Sequence, residues 1–290
     1  MIGATLIYGF INSAILALVA MGFNLTFGIS GVANFAHGSI YILSGFLVWI
    51  FLNSLGLGYL LSIVLSILLS FILGLLIYRF ILLRVKGLPL SEVMATFGLA
   101  LVIMELFRYF DFVGFKYSLP PFIEGSVLIG GNYIDFQRLI IGAVAVCLTI
   151  FFYFFIHYTK IGLAFRAIAQ DDKTALTLGI DPDKIGALSL ALGCSLAGIA
   201  AVFILPLGTI SVESGYDVLI NALAVCIVGG LGSTVGVIVA SLVIGYAQTL
   251  TANFLEPHWM MLVSLAAIAA VLVIKPSGIF GKQKELEERV

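Results

Sequence analysis

Charge is what this sequence has least of. Of 290 residues, 14 are Lys or Arg and 15 are Asp or Glu, 10% in all, against 62% hydrophobic, whereas soluble domains carry about 25% charged and 45–50% apolar residues. That scarcity excludes a soluble globular domain. The net charge of −1, with basic residues scattered between apolar runs, excludes the basic stripe of a nucleic-acid binder. The three cysteines, Cys147, Cys194 and Cys226, lie far apart in apolar runs without His or Cys neighbours, which argues against a disulfide framework and a metal site and makes them core filler. No GxxxxGK[ST] and no HExxH occurs, so the chain has no P-loop for ATP, no comparable metal helix and no visible catalytic centre of its own. The opening MIGATLIYGFINSAIL has no basic n-region and reads as a retained span, not a cleaved signal peptide.

What is present is apolar sequence on the scale of a bilayer, for which a helix needs about 20 residues. Candidate segments are Ala4–Phe27, Ser39–Leu52, Tyr59–Leu82, Val93–Phe107, Leu139–His157, Ile185–Leu207, Val218–Val228, Val235–Phe254 and Trp259–Ile274. The second, fourth and seventh are short. The expected fold is therefore an all-α polytopic membrane protein of about eight to ten transmembrane helices, some discontinuous or re-entrant, with an internal pseudo-repeat of two halves. Orientation follows from Lys and Arg in short loops: Arg79, Arg84 and Lys86; Lys160, Arg166, Lys173 and Lys184; and the tail with Lys275, Lys282, Lys284 and Arg289. All three belong in the cytoplasm, which puts the N-terminus outside.

The longest polar interruption is Lys160 to Lys184, KIGLAFRAIAQDDKTALTLGIDPDK. Within it Asp172 is the expected cap of a short helix, Lys173 to Leu178, and Gly179 the left-handed residue that ends it. Asp181 caps again, with Pro182 at the first helical position of the next segment. A helix that short is unstable alone in water, so it needs a surface to lie on; the competing reading is a solvated loop.

Two glycine-rich breaks interrupt the apolar pattern, FGISGVANFAHGS (Phe27 to Ser39) and VGGLGSTVG (Val228 to Gly236). Unwound backbone at membrane depth survives only where protein or a water-filled cavity satisfies it, so paired breaks point to a transport path. The candidate path residues are Gly28, Gly31, Asn34 and His37 in the first break and Gly229, Gly230 and Gly232 in the second. The competing reading is close helix packing, for which Gly232 and Gly236 have GxxxG spacing, and a lone His such as His37 is more often structural than a ligand. Tyr109 to Asp135, with Pro120 and Pro121, is expected outside the membrane. Glu105, Arg108 and Asp111, at i, i+3 and i+6, are expected to pair at that interface, while Glu213 and Asp217 read as a solvated turn on the same side.

Four stretches in order, FGISGVANFAHGSIYILSGF, GLAFRAIAQDDKTALTLGID, NALAVCIVGGLGSTVGVIVASLVIGY and IKPSGIFG, resemble the permease subunits of branched-chain amino-acid ABC importers, in the shorter H-type form. The resemblance covers essentially the whole chain, residues 1–290, as one permease domain in a bacterial or archaeal plasma membrane. It implies a translocation path for leucine, isoleucine or valine, and partners on other chains: ATPase subunits that hydrolyse the ATP, a second, M-type permease, and an extracytoplasmic binding protein. No cofactor of its own and no enzymatic activity are implied. The short helix falls where such permeases carry the EAA loop, Glu-Ala-Ala-x-x-x-Gly, matched here by Ala175 and Gly179 with Lys173 and Thr174 in place of the first two residues. The resemblance makes Asp172, Lys173, Thr174, Ala175, Leu176, Leu178 and Gly179 the ATPase-coupling residues, within a cytoplasmic coupling segment of residues 160–184. Relatives carrying urea, amides or sugars share the glycine-rich breaks. A secondary carrier would need paired intramembrane charges, and an intramembrane enzyme a partner for His37; neither stands out in the sequence.

Overall fold

The structure, a computed structural model, describes residues 2–31, 33–112, 117–123, 125–129, 132–208 and 210–281. Lys282, Lys284 and Arg289 of the expected basic tail lie outside the described residues. The helices are α1 (Ile2–Ser30), α2 (His37–Asn53), α3 (Tyr59–Ile77, continued by a π-helical turn Tyr78–Leu82), α4 (Leu83–Val85), α5 (Pro89–Tyr109), α6 (Phe136–Tyr158), α7 (Lys160–Gln170), α8 (Asp172–Thr177), α9 (Pro182–Ile204), α10 (Ser214–Gly229), α11 (Thr234–Phe254) and α12 (Met260–Ile274). Among the described residues, seven helical stretches are long and apolar enough to cross a membrane, and α2 and α10 are apolar but shorter. The protein is an all-α polytopic membrane protein, with the nine apolar helices falling on the nine expected segments. One departure is a small antiparallel hairpin, β1 (Ser126–Ile129) and β2 (Asn132–Asp135), in the loop expected outside the membrane. Another is the fourth segment, which is not short: Pro89 opens α5 at the first helical position and the helix runs 21 residues, because the proline needs no hydrogen-bond donor there.

Burial is inverted relative to a soluble helix. On α3, Ser62, Ser66, Ser70 and Gly74 recur every fourth residue and are buried, while Leu60, Val64 and Leu68 face out. In hydrocarbon, apolar exposure costs nothing, so helices associate through small residues and hydroxyl hydrogen bonds. Ser66 donates to the Ser44 carbonyl at 2.7 Å and Ser44 and Ser70 share a hydrogen bond of 2.7 Å, tying α3 to α2.

The centre is built from α1, α2, α9 and α10, and their contacts repeat. Helix α1 packs on α9, α10 and α11; α9 packs on α1, α2 and α3; α2 and α10 pack on each other. Exchanging α1 with α9, α2 with α10 and α3 with α11 leaves this set unchanged. The pairs run antiparallel: Gly193, given a Cβ, would meet the Gly22 carbonyl oxygen at 2.8 Å, and Ser189 donates to the Leu25 carbonyl at 2.9 Å. This is the packing of two inverted halves. It also revises the pairing of the breaks. The break before α2 corresponds to residues 208–213 before α10, not to Val228–Gly236, which instead meets it in space.

All three basic loops come to one end of the bundle. Lys86 pairs with Asp183, Gly232 donates to Asn24 near the end of α1 at 2.8 Å, and Ile279 donates to Val228 at 2.8 Å. Thr5 and Asn253 meet at the other end. That is the segregation the basic-loop orientation requires. Here the expected Asp111 pairing is not what forms: Arg108 pairs with Glu105 and lies 3.8 Å from Glu213, so Glu213 is not a free turn residue. Asp111 has φ 58, past the end of α5, where the helical spacing no longer applies.

A Cβ on Gly74 would lie 2.6 Å from the Ala191 Cα, whereas one on Gly98 would meet nothing within 4 Å. Gly74→Leu should therefore separate α3 from α9 and destabilise the fold by about 1–3 kcal/mol or more, read as a lowered thermal unfolding midpoint in detergent. Gly98→Leu should leave that midpoint unchanged or raise it.

Candidate functional site

The end of the molecule that gathers the basic loops carries two features, a short capped helix and the meeting of the breaks. The polar interruption is not one loop: residues 160–170 form α7, whose Gly162, Phe165 and Ile168 are buried, an amphipathic pattern read at 3.6 residues per turn. Helix α8 follows directly. Its cap is Asp171, not Asp172, and α8 runs Asp172–Thr177. Asp171 Oδ1 accepts from the Lys173 and Thr174 amides at 3.0 and 3.3 Å, and Oδ2 from the Thr174 hydroxyl at 2.6 Å. Two adjacent aspartates offer the same cap in sequence; the extended backbone of Asp171, φ −157, decides between them. At the other end Gly179 has φ +82, and Ile180 donates to Ala175 and Gly179 to Leu176 at 3.1 and 3.0 Å, a Schellman ending. Ala175 is buried, while Leu176 and Leu178 are 59% and 73% exposed. Asp181 then caps α9 through the Asp183 and Lys184 amides, as the sequence indicates. A short helix held at both ends thus presents two leucines to water.

The glycines of the breaks divide into two sets. Gly229 and Gly230 are buried. Gly229 crosses Gly236, whose carbonyl carbon a Gly229 Cβ would approach to 2.5 Å, and a Cβ on Gly230 would approach the Gly281 Cα to 2.6 Å. The close pair is thus Gly229 with Gly236, not Gly232 with Gly236. Residues 278–281 fold onto this crossing, and Ile279 and Phe280 donate to the Val228 and Gly229 carbonyls, satisfying the last turn of α10. Gly28 and Gly232 face each other, a Cβ on Gly28 lying 3.1 Å from the Gly232 Cα, and Gly31 has φ +71 with open space around it. Asn34 and His37 are buried. Asn34 Oδ1 accepts from the Ala36 amide at 3.1 Å, and His37 Nε2 lies 3.1 Å from the Val19 carbonyl, with its ring edge-on to Phe23. Among the described residues, Asn34 Nδ2 and His37 Nδ1 have no hydrogen-bond partner. The structure therefore gathers Gly28, Gly31 and Gly232 at an exposed rim and sets Asn34 and His37 inside, around the start of α2.

Sequence reasoning missed the residues that join these features. Asn24, a polar residue within the apolar ALVAMGFNLTFG, takes the Gly232 amide on its side chain. Thr96 Oγ1 accepts from the Phe35 amide at 3.2 Å, and one turn earlier on α5 buried Glu92 accepts from the Gly87 amide at 2.8 Å. Lys86, next to Gly87, pairs with Asp183 at the start of α9. The first turns of α5 thus reach both the start of α9 and the first break.

The family model described as branched-chain amino acid transport system / permease component matches residues 5–272. The chain belongs to this family. It is similar to the high-affinity branched-chain amino acid transport system permease protein LivH of Salmonella typhimurium, 28% identical over 281 residues that cover 92% of this chain and 91% of the relative. It is also similar to the permease protein LivM of the corresponding system of Escherichia coli, 24% identical over 287 residues, covering 90% of this chain but 67% of the relative. Among solved structures it resembles a chain of PsaBC from Streptococcus pneumoniae in complex with Fab, with a TM-score of 0.50 and 15% identity, covering 95% of this chain and 94% of that one; this likeness concerns the fold alone.

The cap sets a pH window for α8. Hydrogen bonds from Thr174 hold the Asp171 carboxyl below its ordinary value, and those from Lys184 do the same for Asp181. A depressed carboxylate contributes its stability above its unfolded pKa of about 3.9 and loses it as pH falls through the folded value, so α8 should hold from pH 5 to 8. Asp171→Ala should loosen the start of α8, visible as faster amide exchange over 172–178 at neutral pH with the spans unchanged.

Proposed function

We propose that the chain is a membrane-spanning permease subunit of an ATP-driven importer of branched-chain amino acids. The observation that carries the reading is α8, a doubly capped helix whose exposed Leu176 and Leu178 suit a groove on a separate protein. In this reading ATPase subunits receive α8, with Asp172, Lys173, Thr174 and Gly179 shaping its surface and ends, and hydrolyse ATP on their own chains. The permease contributes a path and a lever. It needs no cofactor and performs no catalysis. A second, M-type permease completes the membrane unit; support comes from the relatives named LivH and LivM, which this chain matches along most of its length. An extracytoplasmic binding protein delivers substrate at the end holding Arg108 and Glu213, and the exposed apolar faces of α3, α5 and α12 meet lipid in a bacterial or archaeal plasma membrane.

Substrate leaves through the rim formed by Gly28, Gly31 and Gly232. Glycines there let the backbone lie close to a small amino acid, while buried Gly229 and Gly230 keep α10 and α11 tightly crossed, and Asn34 and His37 hold the start of α2. Movement of α8 reaches this rim through the start of α9, the Lys86–Asp183 pair, and α5 with Glu92 and Thr96.

Leucine uptake into proteoliposomes should require the ATPases, ATP and loaded binding protein together; uptake by the chain alone without ATP would make it a secondary carrier. Leu176→Asp combined with Leu178→Asp should lower binding-protein-stimulated ATPase activity at least tenfold, about 1.4 kcal/mol of docking or more, with the thermal unfolding midpoint of the isolated permease unchanged. Wild-type stimulation in that variant would remove α8 from the docking role.

A further inference from the structure

Toward the end of the bundle away from α8, four helices place polar side chains in contact inside otherwise apolar spans. Asn12 of α1 donates through Nδ2 to Gln248 Oε1 of α11 at 3.1 Å and to the Gly245 carbonyl at 3.2 Å. Gln248 Nε2 donates to Asn221 Oδ1 of α10 at 2.9 Å and to Ser264 Oγ of α12 at 2.8 Å, and Ser264 in turn donates to Asn221 Oδ1 at 2.6 Å. Gln248 and Ser264 are buried, whereas Asn221 is only partly so.

This arrangement orients Asn221. Its carbonyl oxygen has two lone pairs and both are occupied, so the amide cannot flip without placing donors against donors. Its Nδ2 is then directed away from the network, and among the described residues it has no hydrogen-bond partner. One turn earlier on α10, Asp217 is exposed and makes no ion pair or hydrogen bond among the described residues. Residues at i and i+4 lie on one face, about 5–6 Å apart at Cβ. A fixed donor and a carboxylate therefore stand side by side on one face of α10.

Such a pair is costly to turn toward hydrocarbon, and ionisable or polar residues in spans mark substrate pathways when they face a cavity. Their order suits a molecule that carries a carboxylate and an ammonium on one carbon. Nδ2 of Asn221 donates to the first and Asp217 accepts from the second, its charge matching that of the ammonium. We propose that Asp217 and Asn221 form a binding site for the zwitterionic end of an α-amino acid on its way through the permease, with Gln248, Ser264 and Asn12 as positioning residues. The site rests on the reading of the chain as an amino-acid permease and adds the groups that recognise the substrate's charged ends.

The test uses the complete importer in proteoliposomes, with radiolabelled leucine as probe and ATPase activity measured in parallel. Asp217→Asn should reduce initial leucine uptake at least tenfold while binding-protein-stimulated ATPase activity and recovery of the complex stay at wild-type levels. Asp217→Glu should restore uptake to within about threefold. Asn221→Asp, which can still accept from Gln248 and Ser264 but has lost its donor, should fail like Asp217→Asn. Uptake by Asp217→Asn within twofold of wild type would overturn the site. So would loss of uptake in step with loss of the assembled complex, which would make Asp217 a structural residue. A wild-type complex that imports no leucine at all would overturn the permease reading itself, and the site with it.

Discussion

Inside a bilayer there is no water to satisfy a peptide group, and that constraint governs every irregular feature of this fold. Helix α2 begins, and α10 ends, within the protein instead of at a surface, so the unpaired amides of a first turn and the carbonyls of a last one need partners there. The structure answers with named groups. Asn34 serves the turn into α2, Thr96 takes the Phe35 amide, Asn24 takes that of Gly232, and the segment 278–280 covers the end of α10. Where no side chain can fit, backbones meet directly, as when Gly38 abuts Gly215 at the starts of the two helices. Remove the small residues and these crossings have no room; remove the amides and hydroxyls and their polar groups have no partner.

The same constraint explains why the molecule is organised as two inverted halves around its broken helices. Each half supplies a long helix, a break, a short helix and a third helix that packs on the long helix of the other half. Small residues and hydrogen bonds bring the helices close, and the fully buried Phe23, Tyr41 and Leu196 fill the space between them. The rim glycines lie at the α8 end and the Asp217–Asn221 pair toward the other.

Much of this was legible in the chain. Nine apolar runs, the two breaks, the short capped helix with its glycine stop, and the gathering of basic loops at one end all follow from local composition, because hydropathy, capping and left-handed glycines act over a few residues. Errors arose where two local answers were equally good or where the partner came from far away. Asp171 and Asp172 are interchangeable as caps until the backbone chooses. Arg108 has Asp111 three residues on, yet its second partner is Glu213, from another part of the chain. Helix α7 was hidden because its apolar residues are too few for a span and it is sandwiched between stronger signals.

What the sequence by itself determined is therefore the class of molecule, its span pattern, its orientation signal and its family, since these depend on solvent preference and on motifs contiguous in the chain. Only the tertiary structure decided which glycines lie at a rim and which are packed at a helix crossing, that the two breaks meet although they are not equivalent in the two halves, and that Asn24, Thr96, Asn221 and Gln248 are hydrogen-bonded between elements far apart in the chain. These are relations between residues tens to hundreds of positions apart, and they come from the three-dimensional closure of antiparallel helices, which no local signal encodes.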